Sequence, residues 1–162
     1  MSRPQPFAGD LPPPALAFGY APADTLARQL ADLRVLAVFG FGDDAPAIDD
    51  PRWLRVRLQP LHAAPAPIEV WRSASPVRCG REGDIAWPSD GRLLFGAIEI
   101  DEGEAGIEAA AARAYARMGA FVAGSDTPHL LRIWNYMDAI TVGEGDEGRY
   151  RRFCGGRVAG MV

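Results

Sequence analysis

Arg149, Arg151, Arg152 and Arg157 place four guanidiniums within nine residues, in a chain whose net charge is -4. A guanidinium is a planar fork that meets a carboxylate with two parallel hydrogen bonds, so such a cluster is suited to gripping an anion. Tyr150 lies seven residues before Arg157 and shares its helical face with Phe153 and Cys154, adding a phenolic donor. Upstream, the run HLLRIWNYM places Asn135 with Ile133 and Met137 on one side of an alternating segment, and Trp134 with Tyr136 on the other. An amide among apolar neighbours costs roughly a few kcal/mol unless it is hydrogen-bonded. Two readings stay open for each group. Asn135 either ties down the loop that follows or is aimed at a ligand. The arginines either form a solvated face paired with Asp146 and Glu147 or hold a carboxylate-bearing ligand.

Much other chemistry is excluded. All 17 basic residues are arginine. Without lysine there is no internal Schiff base to pyridoxal phosphate and no P-loop amine for a nucleotide phosphate. A negative net charge argues against a nucleic-acid partner. Cys79 and Cys154 belong to no CxxC pair, and His62 and His129 have no metal-ligand spacing, so no metal and no disulfide framework is expected. A Cys–His nucleophile has no recognisable partners. GFGDDAP at 40–46 lacks the GxGxxG spacing of a dinucleotide site. Arg55, Arg57 and Arg72 fit a polar sheet face. No carboxylate is marked as a general acid, and no complete active site is legible. Met1 to Tyr20 has no cationic start before an apolar core, and no apolar run is long enough for a membrane span, so the expected location is the cytoplasm.

The elements that must position these residues can be read from pattern. Residues 1–22, with six prolines, read as an arm that leaves little room for a helix or a paired strand, and residues 23–162 as one domain. Asp24 suits the start of a short helix through Leu30. Strands are predicted at 34–41, 52–58, 68–72, 77–79, 84–87, 92–100 and 129–137. RLLFGAIEI at 92–100 reads as a central strand, and Pro88–Gly91 as a turn. The clearest helix is 104–122, where apolar residues recur at three- and four-residue spacing. A second helix begins at Asp146 or Glu147 with Tyr150, Phe153, Cys154, Val158 and Met161 as its apolar face. Its glycines Gly155, Gly156 and Gly160 each weaken a helix by about 1 kcal/mol against alanine, and close approach to another backbone is the usual reason for that. The fold class is α+β: a mixed β-sheet with two main helices packed on one face.

Leu130, Leu131, Arg132, Trp134, Asn135 and Tyr136, followed by Arg149, Tyr150, Arg151, Phe153, Gly156 and Arg157, resemble the chorismatase family, which includes hydroxybenzoate synthases and proteins called pteridine-dependent deoxygenase-like. Cys154 departs from the small polar residue expected there. The resemblance implies a YjgF/RidA-like fold and the N-terminal half of a chain about twice this long, with the helix at Val162 cut short or, in a free-standing relative, a glycine face serving as an oligomer interface. It implies an enzyme of aromatic compound biosynthesis, a lyase or hydrolase, that removes the enolpyruvyl group of chorismate to give pyruvate with 3- or 4-hydroxybenzoate. No cofactor is implied. The catalytic glutamates would lie in the missing half, leaving this chain inactive alone. Carried over residue by residue, Asn135, Tyr136, Tyr150, Arg151 and Arg157 would bind the carboxylates of chorismate or a similar dicarboxylate, or brace the cleft. The alternatives are a stand-alone oligomeric YjgF/RidA-like module that binds a small carboxylate, and an enamine or imine deaminase of that fold.

Overall fold

A computed structural model describes residues 14–59 and 66–161; His62 and residues 1–13 of the Pro-rich stretch lie outside them. Among the described residues, seven strands divide over two sheets. The first has the order β1-β4-β2-β3, formed by Leu16–Ala21 (β1), Val35–Phe41 (β2), Trp53–Val56 (β3) and Ile68–Ser73 (β4). β2 runs parallel to β3 and antiparallel to β4, and β1 is antiparallel to β4. This sheet is mixed, as expected. The second sheet is an antiparallel meander of Arg78–Glu82 (β5), Ile85–Ser89 (β6) and Ala97–Ile98 (β7).

The β-branched, aromatic sequence of β2 suits a central strand, and residues 35–40 are buried. A register shift between Val35 and Ala37 puts Val35 on the same face as Val38. That face packs against Leu26, Trp53, Ile68 and Val70, beneath the short helix Leu26–Leu30 (α1). The other face carries Ala37 and Phe39 toward Val56, Trp71 and Phe95. Gly40 is required here: a Cβ would run into the Trp53 indole, with Cζ2 at 2.8 Å. Trp53 lies across the strand and donates its Nε1 hydrogen to the Pro46 carbonyl at 2.9 Å.

Several expectations change. Leu16–Ala21 falls between prolines 14 and 22 and pairs along its length with β4, so part of the stretch read as an arm is an edge strand. Asp24 caps nothing; the side chain at that turn is Thr25, whose hydroxyl donates to the Pro22 carbonyl at 2.7 Å. The turn at 88–91 is built as expected. Asp90 Oδ1 accepts from the amides of Arg92 and Leu93 at 2.8 and 2.7 Å, and Gly91 has φ +87°. The run 92–100 forms only the two-residue β7 and an isolated bridge at Leu94, so it is not a central strand.

The helices Gly106–Ala123 (α2) and Arg149–Gly160 (α3) pack closely on each other. Their seam contains Ala111, Tyr115 and Phe153. Gly156 and Gly160 face the backbone of α2: a Cβ on Gly156 would strike the Glu108 carbonyl, and one on Gly160 the Ala112 carbonyl. Gly156 and Gly160 thus serve a close approach within this chain. This close seam also overturns the expected apolar face of α3. Phe153 is buried, whereas Tyr150, Val158 and Met161 are exposed.

Candidate functional site

The five residues singled out by sequence lie in the segment 127–137 and in the helix α3 that follows its loop. This segment belongs to no strand among the described residues, contrary to the expectation for 129–137. The alternation read from sequence is nevertheless its organising feature. Ile133 and Met137 pack onto the α2–α3 seam. On the same side, the Tyr115 hydroxyl of α2 donates to Asn135 Oδ1 at 3.1 Å. On the opposite side, Trp134 meets Trp71 edge-on with centroids 5.0 Å apart, and Tyr136 reaches Phe41 and Phe39 at 6.1 and 6.5 Å. The segment is therefore a wedge, with one side-chain row on the helix pair and the other on the first sheet.

Asn135 satisfies its carbonyl through α2 rather than through the loop that follows, and its NH2 group retains two donors. Tyr136 lies close to Glu69 of β4, whose Oε1 accepts from Trp71 Nε1 at 2.6 Å. Burial and then the Glu69 charge push the Tyr136 phenol above its ordinary range, so it remains a neutral donor through physiological pH. Arg132 stacks over the Trp134 ring, 5.1 Å from its centroid.

The loop between segment and helix is tied by Arg149. Its guanidinium grips Glu102 through both nitrogens, with Nη1 to Oε2 at 2.8 Å, and donates to Asp138 Oδ1 at 2.9 Å and to the Asp138 carbonyl at 3.1 Å. The hydrogen bonds from Glu102 raise the Arg149 pKa further. With every face engaged, Arg149 is a structural clamp rather than a ligand donor. Ala139 adopts φ +48° immediately beside it, a left-handed conformation that costs an alanine about 1 kcal/mol.

On α3, Tyr150 is exposed and stacks on Phe153, with centroids 6.5 Å apart. Arg151 is exposed and Arg157 is half-buried. Arg152 approaches Glu108 at 3.8 Å. Among the described residues, the Arg157 guanidinium has no hydrogen bond or ion pair. Thus the structure brings Asn135 and Tyr136 onto one wedge but on its two opposite sides, while Tyr150, Arg151 and Arg157 lie on the neighbouring helix. An open hollow lined by Tyr20, Pro22, Asp24 and Pro67 lies at the end of β1, and none of the five residues lines it.

Sequence reasoning missed the partners that set this geometry: Tyr115 for Asn135, Glu69 beside Tyr136, and Glu102 for Arg149. Tyr115 sits in the amphipathic stripe of α2 and reads as core, which its ring is. Its hydroxyl carried no separate signal. Arg149 and Glu102 are 47 residues apart, beyond any local spacing rule.

No curated protein matches the chain. A crystal structure of a chorismatase resembles it with a TM-score of 0.73 and 26% sequence identity over 90% of this chain. This chain spans 44% of the length of that chorismatase. The family described as chorismatase FkbO/Hyg5-like, N-terminal, matches residues 69–162, a stretch that includes the wedge, the Arg149 clamp and the whole of α3. The chain belongs to the chorismatase family, as an N-terminal domain of its FkbO/Hyg5-like members.

Proposed function

We propose that this domain is the N-terminal half of a chorismate-converting enzyme that releases pyruvate and forms 3- or 4-hydroxybenzoate in the cytoplasm, and that its two-sheet fold is a variant of the YjgF/RidA-like one. The observation that carries this reading is the family match over residues 69–162, which includes every candidate ligand residue. Chorismate bears two carboxylates, and a site for it needs guanidinium, amide and phenol donors held near one another. Tyr150, Arg151 and Arg157 on α3, the free NH2 of Asn135 and the neutral phenol of Tyr136 are donors of that kind.

The enol ether must also be protonated, which needs an acid with a raised pKa in a shielded cleft. Asp32, Asp50 and Asp90 are all held below the ordinary carboxylate range, the opposite of what a general acid requires. This half is therefore assigned ligand donors and one wall of the cleft, and the C-terminal half the catalytic glutamate. No metal or organic cofactor takes part in this scheme.

The test uses a two-half protein, in which this chain is joined to the part of the related chorismatase outside the match. Replacing Arg157 by Ala should raise KM for chorismate at least about tenfold, the usual consequence of losing a charged hydrogen bond to substrate. Unchanged KM and kcat would remove Arg157 from the site.

A further inference from the structure

The wedge packs on its own chain through both side-chain rows, although Trp134 and Tyr136 stay 40% and 44% exposed, and among the described residues the backbone of residues 128–137 makes no backbone–backbone hydrogen bond. Hydrogen bonds between strands run in the plane of the sheet, perpendicular to the side chains. A segment packed through Ile133 and Met137 on one side and Trp134 and Tyr136 on the other can still add a strand at its edges. Side chains 133–137 alternate from side to side as those of an extended chain do, yet residues 128–137 take part in no strand among the described residues. Backbone donors and acceptors in this state are normally paired in a finished protein. Large apolar side chains in the segment and the loop after it are exposed: Leu130 is 58% exposed, Leu131 83% and Val142 61%. Exposed apolar side chains on a segment rich in strand-forming residues make it a template for strand addition.

We propose that residues 128–137 are a docking edge to which the C-terminal half of the enzyme adds a strand, with Leu130, Leu131 and Val142 closing the seam between the halves. The inference rests on the functional reading above, since that reading supplies the occupant. The related chorismatase has more than half its length outside the match, so a polypeptide of sufficient size exists to cover the edge. Main-chain pairing would supply the affinity and the exposed leucines the register. The consequence for the site is direct: pairing would bring C-terminal residues beside Asn135 and Tyr136.

The experiment is hydrogen exchange of the amides of residues 128–137, measured in the 162-residue chain and in the two-half protein. Exchange should be at least about a hundredfold slower in the two-half protein than in the chain alone. In the chain alone, Leu131→Pro removes one amide hydrogen and should leave Tm unchanged; in the two-half protein it should abolish the protection. Leu131→Glu, which keeps the amide, should weaken the protection at least about tenfold. Loss of Tm in the chain alone on Leu131→Pro would show that this amide is already bonded internally and overturn the proposal. Rapid exchange in a two-half protein that releases pyruvate from chorismate would overturn the docking edge and leave the functional reading standing. Concentration-dependent protection in the chain alone would replace the C-terminal half with a second copy as occupant. A two-half protein with neither protection nor pyruvate release would overturn both.

Discussion

Replacing Gly155 and Gly156 separately by alanine should change stability in opposite directions, although the two residues are neighbours on one helix. Both substitutions gain the helix propensity of alanine over glycine, about 1 kcal/mol. At Gly155, which is exposed, a new Cβ would meet Glu108 Oε1 at 3.2 Å, the end of a side chain free to move. The expected result is a net gain of about 0.5–1 kcal/mol. At Gly156 the obstacle is backbone: the Cβ would strike the Glu108 carbonyl, with its carbon at 2.8 Å and the Ala111 Cβ at 3.0 Å. Relief requires α3 to move away from α2 and opens the seam around Tyr115 and Phe153. Overpacking of this kind costs about 3 kcal/mol, so after the gain in propensity a net loss of about 2 kcal/mol remains. For a chain of this size that lowers Tm by about 4–8 °C, while Gly155→Ala raises it by about 1–4 °C. Thermal and urea unfolding followed by far-ultraviolet circular dichroism measure both. If Gly156→Ala proves as stable as Gly155→Ala, the two helices do not meet through that glycine and the close-packed seam is wrong.

Other outcomes follow from individual contacts. Tyr115→Phe should cost about 1 kcal/mol in urea unfolding, because it removes the hydroxyl that donates to Asn135 and leaves the buried ring in place. The hydrogen bonds from Arg52 hold Asp50 below the ordinary aspartate range. Its contribution is therefore fully present above the unfolded pKa of about 4 and is lost as pH falls through the lower folded value. Asp50→Asn should flatten that acid limb of stability; an unchanged limb would remove Asp50 from it. Glu69→Gln should lower the ionisation pH of Tyr136 in an ultraviolet titration, since it removes a negative charge that opposes tyrosinate formation. No movement would mean that burial alone holds the phenol neutral.

The sequence was informative where local pattern is sufficient. β-Branched and aromatic runs located β2, β3 and β4, and the apolar stripe located α2, because burial selects side chains at short range. The Asp90–Gly91 turn was equally legible, as its hydrogen bonds close within four residues. Failures concentrate where a partner distant in sequence decides the outcome. Residues 92–100 and 129–137 carry strand-like side chains, but a strand also needs a neighbouring backbone, which a side-chain pattern does not specify. The glycines of α3 announced a close approach without saying to what, and the seam with α2 answers that. At the candidate site, the alternation of Asn135 against Tyr136 was readable from a period of two. The engagement of Arg149 by Glu102 was not, and it changes one of the four clustered arginines from a possible ligand donor into a clamp.

The central claim is that this half supplies anion-binding groups and no acid. Its most direct test is release of pyruvate from chorismate, followed with the 162-residue chain alone and with the two-half protein. The account predicts none from the chain alone and steady release from the two-half protein, lost when the glutamates of the added half are replaced by glutamine. Pyruvate release by the 162-residue chain alone would contradict it.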